Sequence, residues 1–166
     1  MTLKSILVAT DFSEPSRMAL EHGKELARSH DATLHVLHVI QQISTYYGSD
    51  VGFAVADIEK KIEASAQREL ASAVGGKDRD LMLRTSTRRA PNVADAINEY
   101  AKAHDVDLIV VGTHGRGAVS RFLTGSVAER IVRTASSPVL TVHAHEGHSL
   151  LSDSEAVHET AEGAPV

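Results

Sequence analysis

Hydrophobic residues follow two patterns along the chain: short, almost continuous apolar runs, and longer stretches with helical periodicity. The short runs are rich in Val, Ile and Leu and predict five strands, over residues 4–9, 33–39, 80–85, 107–112 and 138–143. Between them, apolar residues recur at spacings of three and four, which predicts four amphipathic helices. The predicted faces are Ala19, Gly23, Leu26 and Ala27; Ile58, Ile62, Ala66, Leu70 and Ala73; Val93, Ala94, Ile97, Tyr100 and Ala101; and Ala128, Ile131, Val132 and Ala135.

Helix-start signals agree with this division of the chain. Ser13 is a candidate cap for the first helix, with Pro15 in its first turn, and Pro91 suits the opening of the third. Ser126 and Glu129 have the spacing of a capping box at the start of the fourth helix.

Strands that alternate with helices predict an α/β fold. Right-handed crossovers give a five-stranded parallel doubly wound sheet, of order 3-2-1-4-5, in a three-layer α/β/α arrangement. Apolar runs such as residues 108–111 favour this arrangement, because strands covered on both faces need no polar side. Two connections are longer than usual: residues 40–52, with Tyr46 and Tyr47, and residues 113–124. We interpret residues 40–52 as either a lid or a long, irregular crossover connection.

Charge divides the chain into two parts, a domain over residues 1–143 and an acidic flexible tail over residues 144–166. The 166-residue chain has 17 basic and 22 acidic residues, a formal net charge of −5. All 17 basic residues lie in the first part, with an equal number of acids, so the domain is neutral and the deficit belongs to the tail. A balanced domain argues against nucleic acid as a partner, since binding to phosphate backbones requires clustered cations.

The absence of cysteine excludes disulfides, thiolate catalysis and cysteine-ligated metals. The N-terminus has an apolar run only from Ile6 to Ala9, too short for a signal peptide or a membrane-spanning helix. We therefore expect a cytoplasmic protein without a membrane partner.

A glycine-rich loop follows the fourth predicted strand. Gly112, Gly115 and Gly125 have the spacing G-x2-G-x9-G, with Ser126 next. Glycines at a strand end and a helix start allow the backbone close to a ligand, and a helix N-terminus favours an anion. The cations nearby are Arg116, Arg121, Arg130 and Arg133, against Glu129 alone. The loop therefore indicates an anionic ligand, although isolated glycines also serve turns and packing.

Other phosphate-binding motifs do not fit this loop. A P-loop needs lysine directly after its last glycine, whereas Ala118 follows Gly117. The dinucleotide pattern G-x-G-x-x-G is absent, because Ser120 takes the place of its last glycine, and that motif follows a first strand.

Asp11 lies just after the end of the first predicted strand, and Gly112 ends the fourth. In a sheet of order 3-2-1-4-5 the chain leaves these two strands in opposite directions and opens a crevice at their carboxyl ends. A carboxylate there accepts hydrogen bonds from a ribose or an adenine amino group, or holds Mg²⁺. The alternative is a local Asx turn at the start of the first helix.

Together these segments resemble the universal stress proteins, in particular the branch that binds ATP. The resemblance covers about residues 3–143, from KSILVATDFSEPS through HVLHVI to DLIVVGTHGRGAVSRFLTGSVAERIVRTASSPVLTV, and the G-x2-G-x9-G-[ST] motif is complete. It implies ATP in the crevice, with adenine near Ala9, Thr10, Asp11 and the backbone of Val39. Val111 would line the base or sugar. Ribose and phosphates would contact Gly112, His114, Gly115, Gly125, Ser126 and Val127. We add Arg116 from its charge and position.

The resemblance also implies a homodimer joined at the fifth strand, from Pro138 to His143. Val139, Leu140 and Val142 give this strand an apolar edge without protective lysine, which favours pairing with a second copy.

Ten histidines raise a metal hypothesis, but the best cluster, His143, His145 and His148 with Glu146, has loose spacing and lies where the fifth strand gives way to the tail. His35 and His38 point to opposite faces of their strand and are interpreted as packed or surface residues. His114, inside the loop, is a candidate ribose or phosphate contact.

Three classes of function remain. The first is an ATP-binding stress-response module, and the second is a slow ATPase or nucleotidyl-transfer enzyme on the same scaffold. The second needs a magnesium ligand set, for which Asp11 is the one evident candidate. The third, a phosphoacceptor receiver, fits poorly, because the third predicted strand ends Thr85-Ser86-Thr87 without an aspartate.

Overall fold

The computed structural model describes residues 2–42, 52–75, 78–113 and 126–143 of the chain. Within these ranges five strands alternate with four helices. In chain order the elements are β1 (Ser5–Ala9), α1 (Glu14–His30), β2 (Thr33–Gln41), α2 (Gly52–Ala73), β3 (Leu83–Ala90), α3 (Val93–Ala103), β4 (Leu108–Gly112), α4 (Ser126–Thr134) and β5 (Val139–Val142).

The strands form one parallel sheet of order β3-β2-β1-β4-β5, which confirms the predicted fold class. The two central strands are the most apolar: Ile6, Leu7 and Val8 of β1 are fully buried, and so are Ile109 and Val110 of β4. Strands in this position must be apolar on both faces, because helices cover both sides of the sheet.

A hydrophobic cluster lies on each face of the sheet. The cluster beside α1 includes Ile6, Val8, Leu20, Leu34, Val36, Leu70 and Val110. The cluster beside α3 and α4 includes Leu7, Leu37, Ile97, Tyr100, Ile109, Val111 and Ile131. Alternate residues of the same strand feed the two clusters, as the two-residue period of a strand requires.

The third strand differs most from the sequence prediction, since it occupies Leu83–Ala90 and not residues 80–85. It lies at the edge of the sheet and pairs with β2 from Leu34 opposite Leu83 to Gln41 opposite Ala90. An edge strand gains its stability from backbone pairing, so its sequence LRTSTRRA does not need a continuous apolar run. Asp80 belongs to the preceding turn, where its carboxylate binds Arg28 at 2.7 Å.

The other strands differ from the prediction only at their ends. β2 continues two residues beyond Val39, to Gln41, while β1, β4 and β5 each begin one residue later than predicted, and β5 also ends one residue earlier.

Two of the predicted helical faces are buried only in part. Ile58 and Ile62 of α2 are 57% and 47% exposed, whereas Ala66 and Leu70 further along join the core. Val132 of α4 is also exposed. These three residues lie in α2 and α4 as predicted, but periodicity does not show how far along a helix neighbouring elements reach.

Helix starts differ in how far the predicted signals hold. Ser13 is the N-cap residue of α1 and Pro15 lies in its first turn, but the Ser13 side chain makes no capping hydrogen bond. Its hydroxyl donates to the Asp11 carboxylate instead. α4 begins at Ser126, and the capping box with Glu129 stays a prediction, as do the two long connections and the tail, most of which lie outside the described residues.

The two histidines of β2 lie on opposite faces, as predicted. His35 is 3% exposed and lies under α3, with Nδ1 3.0 Å from the Tyr100 hydroxyl. Burial lowers the pKa of His35, and the nearby His104 and Arg84 add to this effect. His38 faces the other way, toward the start of α1.

The described helices include none that is both long and apolar enough to cross a bilayer.

Candidate functional site

The candidate site is the region where β1 and β4 end side by side, which the topology of the sheet predicts to be a crevice. Ala9 pairs with Val111 in the parallel ladder, so the two strands reach the carboxyl edge of the sheet together. From this edge the chain continues into α1 on one face of the sheet, while α4, which follows β4, packs with the cluster on the other face. This change of direction is where open α/β sheets bind ligands.

The first wall of the crevice is the turn between β1 and α1, from Thr10 to Ser13. The backbone N–H of Thr10 donates to the carbonyl oxygen of Leu37 at 2.9 Å, which ties the turn to β2. Thr10 is buried, and its Oγ1 lies 3.1 Å from Oγ of Ser16 in the first turn of α1. The same Oγ1 accepts the Phe12 backbone N–H at 3.0 Å. One buried hydroxyl thus connects the strand end, the turn and the helix.

Asp11 forms the local turn that the sequence allowed as an alternative to ligand binding. Its Oδ1 accepts the Ser13 backbone N–H at 3.0 Å and the Ser13 hydroxyl. This is an Asx turn, which fixes the carboxyl group at the mouth of the crevice. Both of these contacts use Oδ1, and each oxygen of a carboxylate can accept more than one hydrogen bond.

The second wall is the end of β4, where Gly112 packs against the start of α1. A Cβ at Gly112 would lie 2.6 Å from the carbonyl carbon of Pro15 and 2.8 Å from the backbone nitrogen of Ser16. Only glycine therefore allows β4 and α1 to approach this closely. Gly112, predicted as a phosphate contact, has a structural reason to be glycine whether or not a ligand is bound.

Thr113 continues this wall and connects it to β5. It is fully buried; its backbone N–H donates to the carbonyl oxygen of Val142 at 2.9 Å, and its Oγ1 lies 2.9 Å from Nδ1 of His143. The point at which the glycine-rich loop leaves the sheet is therefore fixed by the edge strand.

The floor between the walls is apolar. Val111 is 4% exposed, and the partly buried Ala9 and Val39 pack against the same cluster beside α3. These three predicted contacts share one side of the crevice.

The start of α4 carries the remaining described site residues, Ser126 and Val127, both of which are exposed. The helix returns from the carboxyl edge of the sheet to β5, so its N-terminus lies at that edge. Two of the arginines counted near the loop have carboxylate partners: Arg130 binds Asp95 at 3.1 Å, and Arg133 lies 3.8 Å from Glu129. The other two, Arg116 and Arg121, lie outside the described residues.

Four predicted contacts lie outside the described residues: His114, Gly115, Arg116 and Gly125. Among the residues that are described, no group of three or more His, Asp or Glu side chains could hold a metal ion. Of the proposed metal histidines, His143 is described, and it contacts Thr113.

Sequence reasoning missed three residues of the walls: Phe12, His38 and Thr113. Phe12 has a φ of 64°, a left-handed conformation that is rare for a bulky residue and that no local sequence pattern predicts. His38 directly precedes Val39 and could have been recognised from that position, since a side chain on the opposite face of a strand end can reach the neighbouring turn.

The fold is that of a doubly wound α/β protein, with the candidate site at the carboxyl ends of its first and fourth strands. The family model for the universal stress protein family matches residues 2–143. The universal stress protein A homolog 1 of Coxiella burnetii is 31% identical over 147 residues, which cover 86% of this chain and 97% of that relative. The chain belongs to the universal stress protein family.

Two solved structures share the fold. Hypothetical protein MJ0577 has a TM-score of 0.75 and 25% identity, over 89% of this chain and all of that one. The universal stress protein from Archaeoglobus fulgidus, solved in complex with dAMP, has a TM-score of 0.60 and 22% identity, over 86% of this chain and 99% of that one.

Proposed function

We propose that this protein binds ATP in the crevice between β1 and β4 and works as a nucleotide-dependent module of the stress response. Adenine lies against the first wall, at Ala9, Thr10, Asp11 and the backbone of Val39, with Val111 beneath the base or sugar. The ribose and phosphates contact Gly112, His114, Gly115, Arg116, Gly125, Ser126 and Val127.

The observation that carries this proposal is the convergence of the two walls. Ala9 and Val111 are paired neighbours, and the residues after them form the polar turn and the start of the glycine-rich loop. A single ligand with a flat base and an anionic end could contact both walls at once. The complex of a structural neighbour with dAMP supports an adenine nucleotide as this ligand. The helix N-terminus at Ser126 favours the anionic end.

A comparison of two glycine variants tests the proposal. Gly115→Val places a side chain where the backbone has to approach phosphate, so we expect ATP affinity to fall about tenfold or more. Gly147→Val is the matched control, since it makes the same change outside the region that matches the family. Equilibrium dialysis with labelled ATP measures both. Equal affinities in wild type and Gly115→Val would contradict the proposal.

The described walls hold too few carboxylates for a phosphoryl-transfer site, which favours nucleotide binding over catalysis. A phosphoryl-transfer site requires a set of Mg²⁺ ligands and a residue that orients water. The described walls supply one carboxylate, Asp11, which the Asx turn already fixes. Any Mg²⁺ would therefore be held mainly by the phosphates and water. Phosphate release from ATP and Mg²⁺ at many turnovers per chain would instead support the slow ATPase alternative.

We also propose that two copies pair through β5. This strand lies at the sheet edge, and Leu140 is 39% exposed on it. Pairing two such edges about a two-fold axis satisfies their backbone groups and buries both leucines. Light scattering should give twice the chain mass of 17.8 kDa for the wild type and the single mass for Leu140→Asp. A monomeric wild type would contradict the pairing.

A further inference from the structure

The turn that carries Asp11 is tied to β2 at two adjacent points. The Thr10 N–H donates to the Leu37 carbonyl oxygen at 2.9 Å, and the Thr10 carbonyl oxygen lies 2.8 Å from Nδ1 of His38. A carbonyl oxygen only accepts, so Nδ1 of His38 carries the hydrogen and donates it. A backbone bond and a side-chain bond thus fix both polar groups of the same residue.

Phe12 completes this attachment. Its φ of 64° costs free energy for a bulky side chain, and such a conformation persists only when its surroundings hold it. Here the Phe12 N–H donates to Thr10 Oγ1 at 3.0 Å, and its ring stacks on the His38 imidazole with 4.5 Å between centroids. His38 therefore contacts the residue before Asp11 and the residue after it.

This arrangement sets the position of Asp11 relative to Val39. His38 directly precedes Val39 on β2, and its side chain holds the turn on which Asp11 lies. Under the proposed function, Asp11 and the backbone of Val39 are two of the groups that face adenine. His38 contacts the two residues that flank Asp11, while β4, Gly112 and Thr113 make no bond to His38 among the described contacts.

We propose that His38 and Phe12 are positioning residues that set the base specificity of the site, an inference that rests on the proposed ATP binding. Asp11, a carboxylate, accepts a hydrogen bond from the 6-amino group of adenine. Guanine carries a carbonyl oxygen at that position, which faces the carboxylate as a second acceptor. Discrimination between the two bases therefore depends on a fixed Asp11, and His38 and Phe12 fix it.

The test compares three probes that engage different parts of the crevice: ATP, GTP and inorganic triphosphate. His38→Leu removes the donor, and Phe12→Leu removes the stacked ring from the same turn as an independent second variant. In both we expect ATP affinity to fall about three- to tenfold, the range for losing one or two modest interactions. GTP and triphosphate affinities should change less than about twofold, so the ratio of ATP to GTP affinity falls.

Two further variants separate positioning from general damage to the fold. His38→Asn keeps an N–H at the δ position and should restore most of the ATP preference. His30→Leu, on an exposed histidine at the end of α1, is the matched control and should leave all three affinities unchanged.

Each outcome bears on the proposal. Equal losses of ATP and triphosphate affinity, or an unchanged ATP to GTP ratio in His38→Leu and Phe12→Leu, would overturn the positioning role while ATP binding by the wild type stands. A wild type that binds none of the three probes would instead overturn the proposed function and this inference with it. Circular dichroism of each variant confirms that folded protein is compared.

Discussion

The two walls of the crevice are built in different ways. The turn from Thr10 to Ser13 is held by side chains, namely the hydroxyl of Thr10, the carboxylate of Asp11 and the imidazole of His38. The end of β4 is held by the lack of a side chain at Gly112, which lets two backbones come together. The first wall meets its neighbours through several separate polar contacts, whereas the second, which Thr113 ties to β5, meets α1 through a single steric condition.

This difference determines how each wall responds to change. Removing one hydrogen bond from a set costs about 1 kcal/mol and leaves the other bonds in place. A backbone clash has no such partial response, because helix and strand must move apart as units. We therefore expect a side chain at Gly112 to disrupt the second wall completely. Loss of a single polar contact should weaken the first wall only in part.

The largest effect is expected for Gly112→Ala. Its new methyl group would lie 2.6 Å from the Pro15 carbonyl carbon, so the start of α1 must shift. We expect unfolding free energy, measured by urea denaturation, to fall by about 3 kcal/mol, at the upper end of the usual cost of overpacking. ATP binding should be lost as well, because the displaced α1 carries the opposite wall with it.

Gly23→Ala is the matched comparison for this loss of binding. The added methyl group would meet Cγ2 of Val8 at 2.4 Å, a side chain and not a backbone, on the part of α1 away from the crevice. This variant should lose stability but keep its ATP affinity. If Gly112→Ala binds ATP normally, or if both variants lose binding equally, the steric account of the second wall is wrong.

A smaller effect is expected at Asp11. Asp11→Ala removes the acceptor of the Ser13 N–H, and we expect a loss of about 1 kcal/mol in unfolding free energy. Asp11→Asn keeps an oxygen at the same position, so its stability should stay within about 0.5 kcal/mol of the wild type. Urea denaturation compares the two. Equal destabilisation by both variants would show that the charge, and not the Asx turn, stabilises this wall.

The sequence could predict the second wall better than the first. Continuous apolar runs place β1 and β4 at the centre of a doubly wound sheet, and from there the meeting of their carboxyl ends follows by topology. The spacing of the glycines locates Gly112. Why no side chain fits at Gly112 could not be predicted, because its contact with Pro15 and Ser16 depends on the three-dimensional path of α1.

In the first wall, the left-handed conformation of Phe12 could not be predicted from the local sequence. The left-handed Phe12 is stabilised by His38, 26 residues further along the sequence, and so cannot be inferred from the turn alone. β3 shows the same limit in another form: its strand is defined by pairing with β2, and its polar sequence alone does not indicate a strand. In both cases, contacts with residues distant in sequence determine the local backbone conformation.

Calorimetric titration of ATP into the folded wild-type protein is the most direct test of nucleotide binding in the crevice. We predict saturable binding at one site per chain, with a weaker response to GTP, because both walls of a single crevice engage one adenine nucleotide. A folded wild type that shows no saturable binding of ATP or ADP would contradict it.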